Sequence, residues 1–200
     1  LDTWGIAPYK TRQSDSLKEV AVIESLGVEI KTGVKVGSDI SAQEFQELHQ
    51  ALFIGAGLSK SSMLNIPGES LKGVIDALTF NENVKEEKWS EVDIGKKVVV
   101  IGAGNTSIDA ATEAKRMGAE EVSIIYRRSS NEMPANNFEF ELAKSDGIQF
   151  QFLTNPVEII GDKTVEAIKC VKMSLGDPDE KGRRKPVPIP DSDFVQAVDM

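Results

Sequence analysis

The sequence has almost none of the residues that build disulfides and metal centres. Of its 200 residues, one is a cysteine, Cys170, and one is a histidine, His49. A single cysteine excludes a disulfide framework within the chain, a CxxC redox pair and a cysteine-rich metal or cluster site. One histidine cannot complete a zinc site with one cysteine. We therefore predict no metal site, and we expect Cys170, which lies in an apolar segment, to belong to the core.

Long apolar runs and an excess of positive charge are also missing. No stretch approaches the roughly 18 apolar residues that span a bilayer, and the sequence does not open with a signal peptide. Acidic residues outnumber basic ones by 32 to 23, for a net charge of −9, which disfavours nucleic acid and anionic membranes as partners. We expect a cytoplasmic protein with a packed core, with neither a membrane nor a nucleic-acid partner.

The sequence also lacks the Tyr-x-x-x-Lys pair with which short-chain dehydrogenases move protons. The two tyrosines are Tyr9, which is followed four residues later by Gln13, and Tyr126, which is followed by Ser130. Neither tyrosine has a lysine at the required spacing, so this acid/base chemistry is excluded.

What the sequence contains is an alternation of strand and helix patterns, typical of an α/β fold with a parallel sheet. In the first part of the chain, Ser14 or Asp15 can cap a helix that ends near Gly27. Residues 28–37 alternate between apolar and polar and predict a strand or hairpin. Ser41 opens a capping box, which predicts a short helix after it.

The second part of the chain has the stronger pattern. Residues 58–94 are turn-rich, and we predict a connecting segment there with a surface helix in ALTFNENVKEEKW. From residue 95, KKVVVIGAGNTSIDAATEAKRMGAEEVSIIYRR has the order strand, glycine turn, helix and strand. A helix in ANNFEFELAKSDG, strands in IQFQFL, VEIIG and VEAIKCVKMSLG, and a polar hairpin tip in DPDEKGRRKPVPIPDSD follow. Residues 95–200 are thus predicted to form a Rossmann-like domain with an antiparallel β excursion.

The glycine turn after the strand at 97–101 predicts a dinucleotide site. Gly102 can adopt a backbone conformation closed to other residues, and Gly104 allows a pyrophosphate to approach the main chain. The helix that follows directs free N–H groups and its positive dipole end at the phosphates. Ser107 replaces the third glycine of the strict fingerprint and is small enough for close packing. The predicted cofactor contacts are Gly102, Ala103, Gly104, Asn105, Thr106 and Ser107, and Asp109 is predicted to tether a helix or loop.

A second Gly-Ala-Gly sequence occurs at residues 55–57, after a predicted buried strand in ALFIGAG. Pro67 and Gly68 interrupt the residues that follow, so no helix is expected to begin there. Without a helix N-terminus there is no equivalent anion site, and we predict a turn where the chain leaves one domain.

Arg127 and Arg128 follow the second strand of the predicted nucleotide unit. In this position, an NAD-binding protein carries an acid that hydrogen-bonds the free 2′-hydroxyl of the ribose. Arginine carries a permanent charge and a planar fork that matches a phosphate. The two arginines therefore favour NADPH over NADH.

These segments together resemble a known family. VVVIGAGNTSIDAATEAKRMGAEEVSIIYRRSSNEMPA, LTNPVEIIGD and RRKPVPIP resemble the small, flavoprotein subunit of NADPH-dependent glutamate synthase and the related dihydropyrimidine dehydrogenase electron-input domains and ferredoxin–NADP oxidoreductases. WGIAPYK, GVEIKTGVKVG and LNIPGESLKGV extend the resemblance over nearly the whole chain.

The resemblance implies two cooperating Rossmann-like domains, an FAD domain that is split in sequence and an NADPH domain inserted within it. Residues 1–57 would then be part of the FAD domain, 58–94 a connection and 95–200 the NADPH domain, with the returning FAD segment missing. It further implies hydride transfer from NADPH to FAD and electron transfer onward to an iron–sulphur domain or a large catalytic subunit. Trp4, Gly5 and Ile6 would lie on the segment that approaches the flavin. Because the cofactors carry the chemistry, no catalytic side chain is expected.

Two hypotheses remain at this point. The first is an electron-input module of a flavin and iron–sulphur reductase, and this chain in isolation is expected to be inactive. The second is a non-catalytic Rossmann module that senses NADP(H) or holds subunits together. A disulfide reductase of the thioredoxin reductase kind would require a cysteine pair that this sequence lacks.

Overall fold

The computed structural model describes residues 5–57, 61, 63–88, 92–180 and 182–200. They form two compact units. The larger contains the described residues up to Gln13 and from Ser61 onward, and the smaller spans residues 14–60. The predicted domain boundaries at residues 57 and 94 stay a prediction, and Trp4 lies outside the described residues.

A three-stranded parallel sheet forms the centre of the larger unit. Its strands are β1 (Lys97–Ile101), β2 (Glu121–Tyr126) and β3 (Gln149–Phe152), in that spatial order. The valines and isoleucines of β1 and β2 suit strands that are covered on both faces. The predicted parallel α/β architecture is confirmed.

Among the described residues of the larger unit, three α-helices pack, namely α3 (Ala77–Lys85), α4 (Asn105–Arg116) and α5 (Asn137–Ser145). Helix α4 buries a row of small residues and one isoleucine, which allows it to lie close to the sheet: Ile108, Ala110, Ala111 and Ala114. Helix α3 begins at the cap Asp76 and buries Phe80, Asn81, Val84 and Lys85. The predicted helix is confirmed, but it is not a surface helix, because Phe80 and Val84 belong to the main core.

The antiparallel excursion is built around one long strand. β5 (Ala167–Pro178) pairs with β4 (Thr154–Ile160), β6 (Arg184–Pro188) and β7 (Phe194–Ala197). Cys170 on β5 is fully buried, as predicted, and burial raises the pKa of its thiol to about 11. After β7 the chain lies beside β1, where the Asp199 N–H donates to the Lys97 carbonyl over 3.0 Å.

The smaller unit contains α2 (Ala42–Glu47) and, apart from its first residue, α1 (Gln13–Ser25). The Ser41 hydroxyl accepts the Glu44 N–H over 3.0 Å, so the predicted cap is confirmed. The predicted strands at 28–37 and 51–57 are wrong: the first contributes only an isolated bridge from Val36, and the second has no strand. A strand requires a neighbour to complete its hydrogen bonds, and no described segment of this unit pairs with 51–57.

Candidate functional site

The glycine turn leaves the carboxyl end of β1 and enters α4 directly. Gly102 has φ +116°, a conformation that side-chain-bearing residues rarely adopt, and an added Cβ would lie 2.9 Å from the Ser107 hydroxyl. An added Cβ on Gly104 would meet no described atom within 4 Å. The turn is therefore tight at Gly102 and open at Gly104, where a phosphate is predicted to approach.

The N-terminus of α4 suits an anion. Gly104 is the N-cap and supplies no side chain to the first turn, which contains no acidic residue. The basic residues Lys115 and Arg116 lie in the last turn, where they complement the negative end of the dipole. The first amides of this 12-residue helix can therefore serve a ligand rather than a capping side chain.

The arginine pair lies at the same edge of the sheet as the glycine turn. Because Ile101 pairs with Ile125 in parallel register, the two strands end side by side. Arg127 lies two residues after Ile125. Arg127 is exposed and Arg128 is half-buried. The predicted phosphate contacts and the predicted ribose contacts thus lie at adjacent strand ends, which is where open α/β sheets bind ligands.

The loop after the arginines returns to the glycine turn, a feature that the sequence patterns did not reveal. The Ala135 N–H donates to the Ala103 carbonyl over 3.2 Å, and the Asn136 N–H donates to the Asn105 side-chain oxygen over 2.9 Å. Asn105 therefore fixes the loop against the turn, and a direct cofactor contact from it stays a prediction. The other predicted contacts at this turn, including Thr106, also stay predictions.

A short capped turn orders the residues behind the arginines. The Ser129 hydroxyl and N–H both donate to the Glu132 carboxylate, over 2.5 and 3.1 Å, around a 3₁₀ turn at Ser130–Glu132. Hydrogen bonds from Ser129 lower the pKa of Glu132. The acid nearest to the arginine pair in sequence is thus occupied by its own loop, and the capping box gives the loop a defined backbone.

A buried polar cluster ties the start of the chain to α4 and α5. Asp109 is 4% exposed; its carboxylate accepts the Tyr9 hydroxyl over 2.8 Å and lies 2.6 Å from the Lys10 ammonium, which also lies 2.8 Å from Glu139. The predicted tether role of Asp109 is confirmed. Burial and the Asp109 carboxylate raise the pKa of Tyr9. Burial opposes charge on Lys10, yet its bonds to Asp109 and Glu139 raise its pKa.

The segment predicted to approach a flavin packs on the same unit. Gly5 and Ile6 are half-buried, and the Lys85 ammonium donates to the Ile6 carbonyl over 2.8 Å. Their flavin contact stays a prediction, as does that of Trp4, which lies outside the described residues.

Within the described part of the chain, no group of three or more histidine, cysteine or acidic side chains is placed to hold a metal ion. Among its helices, none has the length and apolarity needed to cross a bilayer.

Comparison with known proteins identifies the family. Residues 9–185 match the model of the pyridine nucleotide-disulphide oxidoreductase family. The chain belongs to this family. The match includes the glycine turn, α4, the arginine pair and most of the β5–β6 hairpin, so it covers the site as well as the surrounding fold.

Curated relatives of this family agree with the resemblance found in the sequence. The chain is 38% identical over 203 residues to the NADPH-Fe(3+) oxidoreductase subunit beta of Geobacter sulfurreducens, covering 98% of this chain and 30% of that protein. It is 37% identical over 207 residues to the glutamate synthase [NADPH] small chain of Halomonas elongata, covering 100% of this chain and 44% of that protein. The chain thus spans less than half the length of these relatives.

A solved structure shares the fold. FprA from Mycobacterium tuberculosis, in a structure with NADPH, superposes with a TM-score of 0.78 and 23% sequence identity, covering 100% of this chain and 59% of that one. At this identity, the likeness shows a shared fold and does not extend to the chemistry.

Proposed function

We propose that this chain is the NADPH-binding, electron-input part of an FAD-dependent oxidoreductase of the glutamate synthase small-subunit type. The observation that carries the proposal is the placement of the Gly102–Ser107 turn and of Arg127 and Arg128 at adjacent strand ends. One group suits a pyrophosphate and the other suits a 2′-phosphate, so together they favour NADPH over NADH.

The residues fit this cofactor on structural grounds. The space beside Gly104 and the uncapped start of α4 would receive the pyrophosphate. Arg127 and Arg128 would hold the 2′-phosphate with charge-assisted hydrogen bonds. When bound, NADPH supplies a hydride, and the chain's own residues bind and orient the nucleotide.

The flavin belongs to the whole protein in this proposal. After the Gly-Ala-Gly at 55–57, the next described helix begins only at Ala77, so this second turn does not form a dinucleotide site of the same kind. We propose that the segment with Trp4, Gly5 and Ile6 approaches the flavin. The names of relatives, an Fe(3+) oxidoreductase subunit and a glutamate synthase small chain, support electron transfer onward to a partner. We propose an iron–sulphur domain or a large catalytic subunit.

The experiment compares NADPH and NADH binding to the wild type and to the double variant Arg127→Ala/Arg128→Ala by calorimetric titration. Each charge-assisted hydrogen bond is worth about 1.5–3 kcal/mol. NADPH affinity is therefore expected to fall by roughly 10²- to 10⁴-fold at most, while NADH affinity stays nearly unchanged. The double variant Lys96→Ala/Lys97→Ala removes the same charge at the opposite end of β1 and is expected to bind both nucleotides normally.

Equal affinity of the wild type for NADPH and NADH would contradict the assignment of the arginines. A second outcome is that the wild type prefers NADPH but the full-length protein reduces no flavin. This outcome would favour the alternative, a module that senses NADP(H) or holds subunits together.

A further inference from the structure

The β5–β6 hairpin contains a bulge that is held by one arginine. Leu175 pairs with Pro186, but the next pair is Pro178 with Arg184, so β5 advances one residue more than β6. Such a bulge disrupts the ladder, and Pro186 has no N–H to offer. The Arg184 guanidinium donates instead to the Leu175 and Gly176 carbonyls, over 3.0 and 3.1 Å.

The same arginine contacts the proposed cofactor site through its backbone. The Arg184 carbonyl accepts the Nε–H of Arg128 over 3.1 Å, although 56 residues separate the two. The Arg128 carbonyl in turn accepts the Leu153 N–H over 3.0 Å. Arg128 is thus held at its backbone by the segment before β4 and at its guanidinium by the hairpin. The Nε–H is one of five donors, and the other four lie on the two terminal nitrogens.

We propose that Arg184 is a positioning residue for cofactor specificity: by fixing the bulge, it presents its own carbonyl to Arg128 and orients the Arg128 fork toward the 2′-phosphate. This inference rests on the proposed function and adds to it a residue outside the nucleotide-binding βαβ unit. An arginine with a long, flexible side chain loses rotamer entropy when it binds. A guanidinium that is already held loses less rotamer entropy. The hairpin would therefore increase the affinity for NADPH, which has the 2′-phosphate, and not for NADH.

The neighbouring Arg183 provides a matched control within the same hairpin. Its Nε donates to Asp179 over 3.2 Å, and its backbone N–H donates to the same carboxylate over 2.8 Å. It is bonded to the hairpin tip rather than to the bulge. Arg183→Ala therefore removes the same charge as Arg184→Ala without releasing the Leu175 and Gly176 carbonyls.

The test measures dissociation constants for NADPH and NADH with Arg184→Ala, Arg183→Ala, Arg128→Ala and the Arg128→Ala/Arg184→Ala pair, at low and high salt. Arg184→Ala is expected to weaken NADPH about 3- to 10-fold, a fraction of the loss from removing a charged hydrogen bond altogether. NADH affinity is expected to stay unchanged. The double variant should bind NADPH as Arg128→Ala does, because Arg184 acts through Arg128. The effect should persist at high salt, where a long-range charge effect would be screened.

Several results would overturn the inference. One is an equal loss of NADPH affinity in Arg183→Ala and Arg184→Ala. Another is a double variant whose loss of NADPH affinity equals the product of the two single losses. A third is a loss of NADH affinity in Arg184→Ala that matches its loss of NADPH affinity. Failure of the proposed function is a separate outcome: Arg127→Ala/Arg128→Ala would then leave the preference for NADPH over NADH unaltered.

Discussion

The two Gly-Ala-Gly turns have the same three residues and lie in different structures. Residues 102–104 join a paired strand to a 12-residue helix, and the strand and the helix both hold the turn in place. Residues 55–57 follow a segment without a strand, in which Phe53 is 93% exposed and Ile54 is 79% exposed. A glycine turn becomes an anion site only when a paired strand and a helix define its direction.

The two units differ in their ion pairs as well. In the larger unit, Lys10 lies between Asp109 and Glu139, with the lysine side chain 22% exposed and the two carboxylate side chains 6% and 18% exposed. In the smaller unit, the Lys18–Asp15 pair has side chains that are 76% and 58% exposed. Largely buried charges depend on their partners, whereas exposed pairs contribute little. The electrostatic stability of the chain is therefore expected to reside in the larger unit.

The largest expected effect comes from Lys10→Met. This change leaves the Asp109 and Glu139 carboxylates close together without their shared cation. Breaking a buried pair costs about 3–5 kcal/mol, and the partial exposure of Lys10 places it near the lower end, roughly 3 kcal/mol. Urea denaturation, combined with hydrogen exchange of the α4 amides, measures the loss.

Lys18→Met is the control from the smaller unit. Removal of an exposed pair is expected to change the free energy of unfolding by less than about 0.5 kcal/mol. Similar losses from both lysines would show that water reaches the Lys10 cluster and would remove this distinction between the units.

The nucleotide-binding region could be predicted from sequence because its signals are local. The β1–α4–β2 order, the glycine turn and the arginine position all follow from spacing within about thirty residues. The contact between Tyr9 and Asp109, by contrast, spans 100 positions, and no periodicity encodes such a contact. The return of Asn136 to Asn105 depends in the same way on a loop path that side-chain patterns do not specify.

The strands predicted at 28–37 and 51–57 failed for a related reason. Alternation and apolar character describe how well a segment would suit a sheet, but a strand forms only when a neighbour provides hydrogen bonds. β1 and β2 provide them to each other. The interaction of Arg184 with Arg128 was missed similarly, since it depends on a bulge in a hairpin that is remote from the glycine turn.

A glycine substitution in each turn tests the first comparison directly. Gly102→Ala is expected to lose about 1–3 kcal/mol, because φ is +116° and the new Cβ meets the Ser107 hydroxyl. NADPH affinity should fall with it, since the α4 N-terminus would shift. Gly57 has φ +65°, and an added Cβ there would meet no described atom within 4 Å, so Gly57→Ala is expected to cost about 1 kcal/mol and leave NADPH binding intact. Thermal unfolding measures the stability of each variant, and NADPH titration measures its affinity. A loss of NADPH binding in Gly57→Ala would refute the distinction between the turns.

Alkaline pH should again separate the units. The pKa of the Cys170 thiol is about 11 in the folded protein, against an ordinary value of 9.0. Below pH 9 the thiol is protonated in both the folded and the unfolded states, and its contribution to stability is fully present. Between pH 9 and 11 only the unfolded state releases the proton, so the free energy of unfolding falls as pH rises. Hydrogen exchange at several pH values should show this loosening in β5 and not in α1.

The Cys170→Ala variant should flatten this alkaline slope without abolishing it, because the pKa of Tyr9 is also raised and adds to the same loss at still higher pH. The slope, rather than the absolute stability, is the quantity to compare, since the smaller side chain itself lowers stability at every pH. An unaltered slope in Cys170→Ala would mean that water reaches the thiol at the centre of β5. If protection from exchange fell more steeply with pH in α1 than in β5, the alkaline sensitivity would lie in the smaller unit. That result would contradict the expectation, because the buried groups with raised pKa values lie in the larger unit.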